Sequence, residues 1–136
     1  MEGVMQQTEI IYQGGKSFLA QNRGHKVVID LPKDFGGGDE GPTPPELFID
    51  ALGSCIGVYV VGYCKSTGLD TEGLTIKIDW EKELKEKPYY IKKIDVKIDL
   101  PNAEIGPRKE ALLNIAYSCL IHQTIKNQPV IHIDLK

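Results

Sequence analysis

Cysteine is scarce in this chain. Its 136 residues hold three, Cys55, Cys64 and Cys119, an odd and sparse set that does not suit the disulfide framework of a small secreted domain. Arginine is scarcer still, with only Arg23 and Arg108, and the basic residues do not cluster. With a net charge of −3 the chain lacks the electrostatic footprint of a nucleic-acid binder. Residues Met1 to Ile10 have neither the basic stretch nor the apolar core of a signal peptide. The most apolar run, Cys55–Gly62, is far short of the roughly 20 residues that cross a bilayer. Internal repeats and low-complexity segments are missing as well. These absences predict a cytoplasmic protein with neither nucleic acid nor membrane among its partners. What is present, 41% hydrophobic and 26% charged residues, fits a globular chain, expected to form a single domain over residues 1–136.

Three short strand-like runs open the chain, Glu9–Tyr12, Ser17–Ala20 and Lys26–Leu31, with turns at Gly14-Gly15 and Asn22–Gly24. In the third, Val27, Ile29 and Leu31 alternate with Val28 and Asp30. The loop from Pro32 to Pro44 is too rich in glycine and proline for regular structure, and is expected to be a mobile lid. A helix should start at Thr43, a capping residue followed by Pro44 and Pro45, with Glu46 placed favourably for the helix dipole. It should run to about Thr67 and stop at Gly68.

Leu74–Trp80 and Ile94–Leu100 alternate with period two and read as antiparallel strands joined around Glu86–Pro88. A second helix is expected over about Pro107–Lys126, with Leu112, Ile115, Cys119 and Gln123 on one stripe, and a last strand over Val130–Leu135. The order β-β-β-α-β-β-α-β predicts an α+β fold with two central helices. Between Leu47 and Cys64 the first helix has only Asp50 and Ser54 as clearly polar residues, so it should be buried on several sides. Gly53, Ser54, Gly57 and Gly62 would admit close neighbours. One chain of this length has little material to cover such a helix, which predicts a homodimer.

Each central helix carries a cysteine. Cys55 shares its face with Phe48, Ala51, Leu52 and Tyr59, and a buried, inert thiol is the ordinary outcome for such a residue. Face-to-face packing of the two helices would bring Cys55 and Cys119 into disulfide range, which spacing alone does not decide. Cys64, nine residues past Cys55, points to the other side of the helix and reads as packing or surface. His122, one turn beyond Cys119, reads as a hydrogen-bonded or solvated helix histidine, with a thiolate-stabilising or metal-ligating role as the sharper alternative. His132 falls on the polar phase of the last strand, and His25 lies in a turn.

The stretch Gly41-Pro42-Thr43-Pro44-Pro45-Glu46-Leu47-Phe48-Ile49-Asp50-Ala51-Leu52-Gly53-Ser54-Cys55 and the stretch Tyr117-Ser118-Cys119-Leu120-Ile121-His122-Gln123-Thr124-Ile125 together resemble the two cysteine signatures of the osmotically inducible protein C / organic hydroperoxide resistance family. The resemblance spans about residues 10–135 and is nearest to the broad OsmC-like branch. It implies an intertwined homodimer and a thiol-dependent peroxidase that reduces organic hydroperoxides in oxidative-stress defence. By that analogy Cys55 is the peroxidatic thiolate, Cys119 condenses with it to a disulfide, and an external dithiol restores both. No metal or organic cofactor is implied. The peroxidase branches hold an arginine with a glutamate directly after the first proline. Here Pro45 fills that place and Glu46 falls one residue later, about 100° round the helix. Glu46, with Arg23 as the activating arginine, completes the expected catalytic set. A non-catalytic binding protein, holding a lipophilic ligand in a dimer-interface pocket on the same fold, is the competing expectation. A metal site from Cys55, Cys119 and His122 would offer three ligands where zinc usually takes four.

Overall fold

The computed structural model describes residues 5–136, which form two compact units, the first ending at Phe48 and the second running from Ile49 to Lys136. In the first unit, β1 (Glu9–Tyr12), β2 (Phe18–Asn22) and β3 (His25–Ile29) make an antiparallel sheet in the order β1-β2-β3. Two left-handed residues, Arg23 (φ 51°) and Gly24 (φ 85°), close the β2–β3 hairpin between Asn22 and His25. Such a turn follows the right-handed twist of its strands, and glycine takes its second position without a steric cost.

The loop from Pro32 to Pro44 is tied to the end of β3 by hydrogen bonds. Its organiser is Asp30, a carboxylate only 2% exposed. One carboxylate oxygen accepts the Leu31 N–H at 2.7 Å; the other accepts those of Gly38 and Glu40 at 3.1 and 3.2 Å. The Asp30 N–H donates to the Pro42 carbonyl and the Asp39 N–H to that of Leu31. A short 3-10 turn over Lys33–Phe35 completes the loop. A strand phase ends where the chain turns, and β3 ends at Ile29, so the period-two rule no longer governs Asp30.

The Leu31 N–H, helped by those of Glu40 and Gly38, holds the Asp30 carboxyl below its ordinary 3.8, against the opposing push of burial. Its native form therefore binds a proton less readily than its unfolded form. The stability this adds is present above the unfolded value and is lost as pH falls through the native one. Protection of the Gly38 and Glu40 amides, taken relative to their intrinsic exchange rate at each pH, should accordingly fall below about pH 4. In Asp30→Asn both amides should be poorly protected already at pH 7. Protection unchanged in that variant would show that the carboxylate does not hold the loop.

Helix α1 (Pro44–Thr67) opens with a capping box: the Thr43 hydroxyl accepts the Glu46 N–H at 3.3 Å and the Glu46 carboxylate accepts the Thr43 N–H at 2.8 Å. It ends, as expected, before Gly68 at φ 77°. By length and composition this whole helix is apolar enough to cross a membrane, which the short run Cys55–Gly62 did not suggest. Within the second unit one side of it is instead packed on protein. Leu52, Ile56, Val60 and Cys64 enter a core with Leu100, Leu112, Ala116 and Cys119.

The floor of that core is the hairpin of β4 (Thr75–Glu83) and β5 (Tyr90–Asp99), which turns Ile76, Ile78, Trp80, Ile94, Val96 and Ile98 to one face. Gly53 and Gly57 let α1 approach it. A Cβ at Gly53 would meet Ile78 Cδ1 at 2.8 Å, and one at Gly57 would meet Ile76 Cδ1 at 3.3 Å.

Two expectations fail in the C-terminal part. The second helix is not continuous: α2 (Lys109–Tyr117) and α3 (Leu120–Lys126) meet at a corner at Ser118-Cys119. The last strand is absent, since residues 128–136 carry no strand pairing. Val130, Ile131, Ile133 and Leu135 are 99, 77, 88 and 94% exposed. A strand needs a neighbour for its backbone hydrogen bonds. Among the described residues of one protomer, this segment has none.

A candidate dithiol redox site

Cys55 projects from the middle of α1, half-buried against the core. Cys119 is not on a helix stripe. It occupies the N-cap of α3 in extended conformation (φ −60°, ψ 148°), and its side chain is fully buried. Its sulfur accepts the His122 N–H at 3.3 Å. The Cys55 and Cys119 thiols lie within hydrogen-bonding reach of one another, and both are free. Burial pushes the Cys119 thiol above its ordinary 9.0; the His122 and Ile121 N–H groups oppose this and the neighbouring Cys55 adds to it. The protein therefore keeps the buried partner protonated at neutral pH and leaves the other thiol nearer the surface.

Cys64 is fully buried in the core, away from this pair in role, and burial alone raises its pKa. Of the two expected places, packing or surface, it takes the first. His122 is the hydrogen-bonded helix histidine of the expected pair of readings: its Nδ1 lies 2.7 Å from the Tyr117 carbonyl, an arrangement that requires Nδ1 to carry the hydrogen. Among the described residues no group of three His, Cys, Asp or Glu side chains is arranged to hold a metal.

The remaining expected site residues, Glu46 and Arg23, belong to the first unit, where their visible work is the α1 cap and the β2–β3 turn. Arg108, the other arginine, places its guanidinium 3.4 Å from the Tyr63 hydroxyl of α1. Sequence reasoning missed the Tyr117 carbonyl and the Gln123 amide, which meet at 2.8 Å beside the cysteines. A backbone acceptor leaves no compositional trace. The second unit also holds a mainly apolar cleft of 440 Å³ between α1, β5 and the two C-terminal helices, with Leu52, Ile56, Leu113 and Ile125 among its apolar walls and Lys92, Lys93, Asp95 and His122 among its polar ones.

An α+β fold with a paired, free dithiol in its helical core defines a small protein of redox-capable type. The chain belongs to the OsmC-like protein family, whose sequence model matches residues 36–134. Its fold is similar to that of a provisional osmotic stress induced and detoxification response protein from Psychrobacter arcticus 273-4, with 18% identity, a TM-score of 0.79, and 91% of this chain and 90% of that one covered. It is similar to an OsmC-like protein from Mycoplasma pneumoniae, with 14% identity, a TM-score of 0.76 and coverage of 93% and 90%. An organic hydroperoxide resistance protein OsmC from Legionella pneumophila aligns with 16% identity, a TM-score of 0.66 and coverage of 90% and 91%. A sequence search of curated proteins gives no match.

Proposed function

We propose that this protein is a thiol-dependent peroxidase that reduces organic hydroperoxides through Cys55 and Cys119, as part of oxidative-stress defence in the cytoplasm. The observation that carries the reading is the contact between the two thiols, one accessible and one buried. Cys55 sulfur, as thiolate, attacks the terminal peroxide oxygen. The O–O bond breaks, the alcohol leaves with a proton, and Cys55 becomes a sulfenic acid. Cys119 sulfur then attacks Cys55 sulfur, the S–O bond breaks, and water carries away the oxygen with the Cys119 proton. An external dithiol reduces the resulting disulfide by two exchange steps.

Because burial raises the Cys119 pKa, the second step should speed up with pH, by about tenfold per unit below that raised value, as the thiolate fraction grows. Quenching with an alkylating agent at set times after a single peroxide addition measures this closure. A closure rate independent of pH between 6 and 8 would remove Cys119 from the resolving role. The parent test is consumption of cumene hydroperoxide with dithiothreitol. Cleft occupancy by a lipophilic probe without any peroxide consumption would favour the binding-protein reading, for which the mainly apolar 440 Å³ cleft is the motivating feature.

The homodimer is part of the same proposal. Val58 on α1 is 71% exposed, Tyr59 and Phe48 are also exposed, and the C-terminal strand pattern lacks a partner. A second copy would cover these surfaces. In a lone protomer Val58→Glu should be nearly neutral for stability. In the proposed dimer it places a charge in an apolar interface, and sedimentation at micromolar concentration should show dimer for the wild type and at least tenfold weaker association for the variant. Wild-type monomer would defeat this part.

A further inference from the structure

From Lys109 to Lys126 the chain contains no glycine or proline, and its local preference is for one continuous helix. The break at Ser118-Cys119 must therefore be held by contacts. In an unbroken helix the Tyr117 carbonyl would accept the Ile121 N–H. Here that carbonyl accepts two side chains of α3, His122 through Nδ1 at 2.7 Å and Gln123 through Nε2 at 2.8 Å. The Tyr117 and His122 rings also meet, with centroids 5.5 Å apart. His122 acts twice, since its backbone N–H donates to the Cys119 sulfur. The Cys119 backbone is thereby fixed in an extended conformation, and its thiol faces Cys55.

We infer that His122 and Gln123 are positioning residues for disulfide closure: by clamping the Tyr117 carbonyl they hold the α2–α3 corner, and with it the Cys119 sulfur, in line with Cys55. This rests on the dithiol reading above, but the clamp acts on closure by any oxidant. With a hydroperoxide the closure expels water from the Cys55 sulfenic acid. With diamide, Cys55 adds across the N=N bond, Cys119 sulfur displaces the nitrogen, and the reagent leaves as the hydrazine. Misplacing a reacting atom by about 1 Å commonly costs on the order of a hundredfold in rate.

The experiment measures two steps separately in the wild type, His122→Ala, Gln123→Ala, the double variant and His122→Asn. Oxidation of Cys55 is followed by dimedone trapping of the sulfenic acid with cumene hydroperoxide and by mass spectrometry of the diamide adduct with diamide, and closure by timed alkylation with both. The ratio of the closure rate to the rate of Cys55 oxidation should fall about tenfold in each alanine variant and about a hundredfold in the double variant, a ratio that removes any effect of His122 as a wall of the cleft. Asparagine offers an amide N–H where Nδ1 stood, and His122→Asn should recover most of the lost rate. A purely structural role would lower the melting temperature and slow both steps together, and His122→Asn, the least perturbing change, keeps that comparison available where the alanine variants unfold. Closure at the wild-type rate in the double variant overturns the clamp. Diamide closure that depends on His122 and Gln123, in a protein that hydroperoxide leaves untouched, upholds the clamp and defeats the peroxidase reading instead.

Discussion

Cys55→Ser should lower hydroperoxide consumption at least about a thousandfold, since loss of a nucleophile typically removes most of an enzyme's rate enhancement. Serine keeps the size and polarity of the site, but its hydroxyl is not ionised at neutral pH. Cys119 cannot substitute for the lost thiol: it is fully buried, and burial holds its pKa up. Cys64 is enclosed in the core and is pushed the same way. Cys119→Ser should behave differently. Serine is a better helix N-cap than most residues, so α3 keeps its start. Without added dithiol, Cys55 should still consume one equivalent of peroxide in a burst and then stop as a sulfenic acid, which dimedone traps on Cys55 alone. Peroxide assay and mass spectrometry of the adduct read both variants. Turnover in Cys55→Ser within tenfold of the wild type, or an adduct only on Cys64, would sink the assignment of Cys55.

The thiol pair and the fold around it were legible to different degrees, for physical reasons. The strands β4 and β5 announce themselves through side-chain periodicity, because each has one face on the core and the pattern must follow, whereas α1, apolar nearly all round, shows itself through its capping residue, its long apolar run and the stop at Gly68. Thr43 and Glu46 mark the start of α1 for a local reason, hydrogen bonds three residues apart. The α2–α3 corner is invisible to the same logic. Every residue from Lys109 to Lys126 tolerates a helix, and the break depends on a backbone carbonyl held by His122 and Gln123. Local preference and observed structure conflict there, beside the cysteines, where such conflicts are expected to concentrate. The tail shows the converse. Val130–Leu135 has a strand pattern that one protomer does not use, because pairing requires a neighbour that composition cannot supply. The third strand, expected over Lys26–Leu31, ends at Ile29, because Asp30 turns inward and its carboxylate gathers the backbone N–H groups of the following loop.

That loop carries the largest stability effect expected here. Gly41→Ala should destabilise the first unit by about 3 kcal/mol, the upper end of the usual range for overpacking. A Cβ at Gly41 would land on the Val28 carbonyl, and one at Gly37 on the Leu31 carbonyl and against the Asp30 carboxylate at 2.8 Å. Neither obstacle is the flexible end of a side chain. The nearest obstacle in each case is backbone, the Val28 carbonyl within β3 and the Leu31 carbonyl two residues beyond it, and the hydrogen bond from the Asp30 N–H to the Pro42 carbonyl ties the facing segment. Relief requires the Gly36–Gly41 segment to move away, which withdraws the Gly38 and Glu40 N–H groups from a buried carboxylate. Steric and electrostatic costs therefore fall together, and Gly37→Ala should behave similarly. Gly15, with open space around it, provides the contrast: its φ of 56° makes Gly15→Ala strained, but no neighbour is displaced, and the cost should stay near 1 kcal/mol. Urea unfolding followed by hydrogen exchange of the β1–β3 amides measures all three. Equal costs at Gly15 and Gly41 would mean that the loop is loose enough to accommodate a side chain, and the anchoring by Asp30 would then be wrong.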